Sequence, residues 1–236
     1  GLADSLILLG IRYGSAESLD IAARVMRTIC HAAYRASIQL AKEKGSFPAF
    51  DADSYLQGHF IQSLPADIRE GIATTGMRNS HLIAIAPTGT ISLLANNVSG
   101  GIEPVFEARY RRRIRQPGGE VEEYEVMDYA CQLWQNSNGK RDLPPAFIDA
   151  RALSPLSHLQ MQAAVQPYVD NAISKTINVP ADYAFNDYKS LFQQAYELGL
   201  KGCTGFRPNP VTGSVLSTGA AESRGPHCCD IDREAD

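Results

Sequence analysis

Five apolar residues in a row, Leu82-Ile83-Ala84-Ile85-Ala86, run straight into Pro87-Thr88-Gly89-Thr90-Ile91-Ser92, and no other passage limits the possible folds as much. The run reads as a strand covered on both faces. Pro87 stops it, because its ring fixes its own φ and biases Ala86 toward extended backbone. Thr88, Gly89, Thr90, Ile91 and Ser92 then supply the first amides of a helix, which have no acceptor inside it and point at whatever anion sits there. Gly89 leaves room for close backbone approach, and the hydroxyls of Thr88, Thr90 and Ser92 add hydrogen-bonding groups. An ordinary helix start with capping hydroxyls accounts for the same residues. The stretch is not a Walker loop, since G-x-x-x-x-G-K-[ST] and its lysine are missing.

The whole chain has 236 residues, 44% hydrophobic and 20% charged, with a net charge of −4. No apolar run approaches the ~20 residues of a membrane span, and no secretory signal is visible, so a soluble globular chain with no membrane partner is expected. The acidic balance argues against a nucleic-acid polymer as partner and for a small molecule. Cysteines at 30, 131, 203, 228 and 229 form neither a C-x-x-C pair nor a zinc ladder. No metal site is expected, and a reducing, cytoplasmic compartment is the simplest reading. Beginning at Gly1 rather than methionine, the chain reads as a processed product or a piece of something longer.

Residues 15–44 place Ala22, Val25, Ile29, Ala33, Ala36 and Leu40 on one helical face, with Ser15 and Gly45 at the cap positions. Residues 51–72 read as a loop holding one short helix near 54–58. Asn96-Asn97-Val98-Ser99-Gly100-Gly101 is a loop able to fold back tightly, which brings Glu103 near the turn. Residues 106–115 alternate as a half-buried strand whose arginines lie on a solvated or inter-subunit face rather than a nucleic-acid face, and Pro117-Gly118-Gly119 turns the chain after it. A helix is expected over 121–136, a polar linker over 136–145 and a helix over 154–164. Then come a strand over 172–179, a helix over 187–198 and a strand over 201–207. Strand and helix alternate three times, the pattern of an α/β layer or barrel. Residues 1–210 form the structured segment, and 211–236 read as a flexible tail.

Arg78-Asn79-Ser80, the turn at 86–92, Gly101-Ile102-Glu103-Pro104, Ile173-Ser174-Lys175-Thr176-Ile177-Asn178-Val179-Pro180 and Gly199-Leu200-Lys201-Gly202 occur in this order. In order and spacing they resemble the C-terminal part of the catalytic barrel of ribonucleotide reductases, most closely the adenosylcobalamin-dependent class II enzymes. The resemblance implies an α/β fold: the C-terminal portion of a ten-stranded α/β barrel, incomplete on its own. It implies that Pro87, Thr88, Gly89, Thr90 and Ile91, with Ser92 just after, hold the phosphates of a ribonucleotide substrate, supported by Asn79 and Glu103. For Glu103, a brace that hydrogen-bonds the turn's backbone amides and a plain surface carboxylate both stay open.

In that family a cysteine thiyl, flanked by an asparagine and a glutamate, abstracts hydrogen from the ribose. No Asn-x-Cys-x-Glu occurs here, and neither Cys30 nor Cys203 has an asparagine or carboxylate two positions away. No catalytic residue is therefore assigned, and a second polypeptide carrying the N-terminal part of the barrel and the radical cysteine is the expected partner. The class follows from the last strand, Lys201-Gly202-Cys203-Thr204-Gly205-Phe206-Arg207. It lacks the tyrosine pair through which subunit-generated radicals travel, so adenosylcobalamin, bound by the complete enzyme, is the implied cofactor. Gly205 stands where the family carries a bulkier residue. The adjacent Cys228 and Cys229 match a mobile redox pair of the family only loosely; a redox tail, a partial metal site and a chance pair all stay open. The rival reading is a non-catalytic regulatory or scaffold protein retaining the fold. A phosphotransferase is disfavoured, because no lysine or magnesium carboxylate adjoins the turn.

Overall fold

Leu6 and Ile7 of the first helix, α1 (Leu2–Leu8), are sealed in the core. Ser15 then opens α2 (Ala16–Lys44) by accepting the Ser18 N–H at 3.1 Å, and Gly45, at φ +79°, closes it. This is a computed structural model, and it describes residues 1–115, 120–139 and 142–207. The expected tail with Cys228 and Cys229 and the turn at Pro117-Gly118-Gly119 lie outside the described residues.

The buried face of α2 matches the expected one only in part: Ala22 is buried and Ala33 packs against the core. Val25, Ile29 and Leu40 are 45, 48 and 37% exposed, while Ser18, Ala22, Cys30, Tyr34, Ser37 and Ala41 face inward. Apart from Tyr34 these are small residues, which let neighbouring backbones come close. A reading weighted toward large aliphatic side chains shifts the stripe toward residues that stay exposed.

Beyond α2, residues 51–72 are mostly helical rather than a loop. Three helices follow one another: α3 (Ala52–Leu56), α4 (His59–Gln62) and α5 (Ala66–Thr75). Ile68 and Ile72, one turn apart on α5, are fully buried, each contributing about 1.5–3 kcal/mol of transfer free energy. The turn region leads into α6 (Gly89–Leu94).

Next comes an antiparallel hairpin of β1 (Arg109–Arg115) and β2 (Val121–Met127), then α7 (Tyr129–Asn138). The helix expected over 121–136 is thus a strand in its first half. Arg109 faces Glu125 at 3.3 Å and Arg111 faces Glu123 at 3.9 Å across the two strands. The cross-strand partners complete a two-stranded ribbon, and these two arginines are neutralised locally rather than offered to a polyanion.

The helix α8 (Pro155–Val165), capped by Ser154, and α9 (Phe185–Glu197) flank β3 (Thr176–Asn178), which pairs in parallel with β4 (Thr204–Phe206). The strand upstream of Pro87 is shorter than expected. Residues 83–85 pair in parallel with 171–174 through a bridge between Ile85 and Ile173, with Ser174 N–H donating to the Ile85 carbonyl at 2.8 Å. Nor is it covered on both faces: Ile83 is buried, but Ala84 and Ala86 are exposed. Three parallel segments therefore lie side by side, with 171–178 in the middle. Val105 and Asp149 make a further parallel bridge. This is a mixed helix-and-strand architecture, and no closed barrel stands among the described residues. One apolar cluster joins α1, α2, α5 and α8; a smaller one of Leu159, Ile177, Val179, Leu191 and Ala195 holds α9 onto β3 and α8.

Candidate functional site

The turn after Ile85 begins with an unusual backbone. Thr88 sits in the left-handed region at φ +56°, which breaks the extended run and aims the chain into α6. Its hydroxyl oxygen accepts the Gly101 N–H at 2.7 Å. Ser92 donates its N–H to the Thr88 carbonyl at 2.8 Å and its hydroxyl to the Gly89 carbonyl at 2.9 Å, and it is buried. Ser92 therefore closes the first turn of α6 and does not face outward, contrary to its expected place among the ligand-facing groups. Among the described residues, no acceptor takes up the N–H groups of Gly89, Thr90 or Ile91, and all three residues are exposed with Pro87.

The loop at 96–103 folds back onto this turn. A Cβ at Gly100 would stand 2.4 Å from the Pro87 carbonyl oxygen, and one at Gly101 2.6 Å from that of Ala86. Only glycine allows that approach. Asn96 and Asn97 take positive φ and start the reversal, and Glu103 N–H closes it onto the Gly100 carbonyl at 2.8 Å.

Glu103 is neither a bystander nor a brace of the turn's own amides. Its Oε1 accepts the backbone N–H of Thr176 at 2.6 Å, and its Oε2 pairs with Lys175 Nζ at 2.6 Å. Lys175 is 1% exposed, and its Nζ also lies 3.1 Å from His158 Nδ1. Burial pushes the lysine down from its ordinary range and Glu103 opposes that; burial and the Lys175 charge hold the His158 imidazole down at about 4. His158 is thus neutral at pH 7, with Nδ1 accepting. Asn79 is placed elsewhere: its N–H and Oδ1 both meet the Ser37 hydroxyl at 3.1 Å, which ties the 78–79 segment to α2.

A second carboxylate, which the sequence reading missed, fixes the strand that leads to the turn. Asp170 accepts the N–H groups of Leu82 and Ile83 at 2.7 and 2.8 Å, and the Tyr34 hydroxyl at 2.8 Å. Lys201 crosses to the same corner and donates to the carbonyls of Val169, Asp170 and Asn171. Among the described residues Cys30 and Cys131 are buried and Cys203 is half-buried; burial raises all three thiols, that of Cys30 to about 11. Among the described residues no three His, Cys, Asp or Glu side chains converge on a metal-sized space. No helix is long and apolar enough to cross a membrane.

A parallel segment thus runs into a turn with open amides, backed by a folded-over glycine loop. The model of the ribonucleotide reductase barrel domain matches residues 1–206, and the chain belongs to that family. It is 36% identical over 242 residues to a vitamin B12-dependent ribonucleoside-diphosphate reductase of Mycobacterium tuberculosis, covering 93% of this chain and 32% of that protein. It is 34% identical to the enzyme of the same description from Thermoplasma acidophilum, over 96% of this chain and 30% of that one. The ribonucleoside-diphosphate reductase large subunit of Variola virus is 26% identical over 92% of this chain and 32% of its own. The chain therefore spans about a third of the length of these curated relatives.

Proposed function

We propose that these residues form the C-terminal part of the barrel of a vitamin B12-dependent ribonucleotide reductase, where the turn at Pro87, Thr88, Gly89, Thr90 and Ile91 holds the phosphates of a ribonucleoside diphosphate. The observation that carries this reading is the set of exposed N–H groups of Gly89, Thr90 and Ile91, unclaimed among the described residues, at the end of a parallel segment. Aligned amides of this kind suit an anion without a lysine. A helix as short as α6 contributes only about 0.3–1 kcal/mol per ligand charge, so the rest of the barrel supplies most of the affinity.

The hydrogen-abstracting cysteine and the remaining strands belong to polypeptide outside residues 1–207, whether continuous with them or separate. Vitamin B12, on which the relatives' names say they depend, would supply radical chemistry there when bound. The described residues hold the Cys30, Cys131 and Cys203 thiols but bring no three metal-ligating side chains together, and their part on this reading is to bind and orient. The outer edges of residues 83–85 and β4, which pair with no other strand among the described residues, are where further strands join on this reading. The working compartment on this reading is the cytoplasm, where the nucleotide pools lie.

Deoxynucleotide formation, measured with and without the polypeptide bearing the radical cysteine, tests the assignment. Activity is expected only in combination, and reduction by residues 1–236 alone would overturn it. Calorimetric titration of ADP or CDP into the combined protein tests the turn, with Thr88→Val/Thr90→Val as control. Equal and negligible binding by wild type and double variant would instead support the non-catalytic scaffold.

A further inference from the structure

Lys175 is an ammonium with nowhere to go. Glu103 faces it from the glycine loop, His158 from α8 and the Tyr13 ring, 5.9 Å away, from the segment before α2; the Thr176 carbonyl lies 3.5 Å off. Tyr13 in turn donates its hydroxyl to the Ile102 carbonyl at 2.6 Å, so two consecutive residues of the loop are held from this side. A buried ion pair adds little net stability over an apolar packing of the same shape, but it tolerates only one geometry. Here the geometry it selects is the placement of the loop on β3.

That placement is passed on by contact. The carboxylate sits two residues from Gly101, whose N–H grips the Thr88 hydroxyl, and Gly100 and Gly101 lie flat on the carbonyls of Pro87 and Ala86. Residues 86–88 cannot shift relative to β3 without either breaking these contacts or dragging Glu103 off Lys175.

We propose that Lys175 and Glu103 are positioning residues for the turn: the pairing of the buried lysine with the half-buried carboxylate locks the Gly-Ile-Glu-Pro loop onto β3, and the locked loop holds the N–H groups of Gly89, Thr90 and Ile91 outward before any ligand arrives. The proposal deepens the phosphate-binding reading and rests on it for its purpose, but the mechanical link is measurable without a ligand. A preset anion site binds more tightly than one ordered on binding, because the ordering entropy is already spent.

Amide hydrogen exchange by NMR on wild type, Lys175→Met and Glu103→Gln, each combined with the polypeptide that completes the barrel, tests the link, with inorganic pyrophosphate as the probe of the turn. Lys175→Met removes the cation at similar length. Glu103→Gln keeps the shape and removes the charge, and so serves if the first variant does not fold. In either folded variant, protection of the Gly101 amide is expected to fall at least tenfold, while that of Cys30 and Tyr34 in α2 stays at the wild-type level. Pyrophosphate affinity, read from the Gly89, Thr90 and Ile91 resonances, is expected to fall about tenfold alongside. Unchanged Gly101 protection in a folded variant overturns the lock. Failure of the combined wild-type protein to bind pyrophosphate overturns the phosphate assignment instead, and Gly101 exchange still decides the lock.

Discussion

The ring of Tyr188 on α9 covers Gly205 on β4 so closely that a Cβ there would stand 2.4 Å from the phenolic oxygen and 2.8 Å from Cε2. The bulkier residue that the family resemblance leads one to expect at Gly205 is thus replaced in space by a side chain from the crossover helix. Gly205→Val should lose about 1–3 kcal/mol through overpacking. Tyr188→Ala should lose about 2–4 kcal/mol through the space it leaves. The double variant should lose at least ~1 kcal/mol less than the sum, since each change relieves the other. Urea unfolding of the four proteins measures this, and additive losses would show that the two residues do not share one space.

Asp170 joins α2 to the strand that feeds the turn through three hydrogen bonds, to Tyr34, Leu82 and Ile83. Burial raises the Tyr34 phenol, so it stays protonated and donates. Asp170→Asn should destabilise by about 2–3 kcal/mol and Tyr34→Phe by about 1 kcal/mol, as expected for bonds to a charged acceptor. A loss below ~0.5 kcal/mol for Asp170→Asn would contradict this role.

Two buried groups oppose one another in acid. Burial, and then Lys175, lowers His158 from 6.5 to about 4, so the unfolded chain takes up a proton first and stability falls as pH drops from 6.5 toward 4. Burial, and then Asp4, raises Asp128 from 3.8 to about 6, so the folded chain takes up a proton first and stability is lost as pH rises through about 6. In Asp128→Asn the second effect is gone. Relative to wild type, the variant should gain on the order of 2–3 kcal/mol between pH 4 and 6 and change no further above that. Unfolding curves across that range decide it, and a constant difference would refute the Asp128 shift.

Gly100→Ala places a methyl against the Pro87 carbonyl, a backbone atom that cannot swing aside. The loop must lift, at about 1–3 kcal/mol, and pyrophosphate binding at Gly89, Thr90 and Ile91 should weaken severalfold. Wild-type affinity in this variant would mean that the loop does not shape the turn.

Legibility followed the range of the signal. Ser15, Gly45, Ser154 and Pro87 mark boundaries through their own backbone preferences, and each stands where the sequence places it. The strand β2 was hidden because Tyr124, Met127, Ala130, Cys131 and Trp134 keep a helical spacing straight across the junction at Asp128. The alternation of Glu123 and Glu125, matched to arginines one strand away, was the available clue. The short α5 offered only Ile68 and Ile72 as a face, too few for periodicity to register. Lys175 was visible as a lone cation between Ser174 and Thr176, but nothing local tells a buried lysine from an exposed one.

The sequence by itself determined the family, the proline-stopped segment and the glycines that let a loop fold back on it, because each depends on neighbouring residues or on motif order. Only the tertiary structure decided that Ser92 turns inward, that Glu103 pairs with a lysine 72 positions away, that Asp170 holds the strand and that Tyr188 fills the space above Gly205. Those pairings depend on which surfaces meet once helices pack on the parallel segments, and close packing at that scale is set by the whole assembly rather than by any stretch of chain.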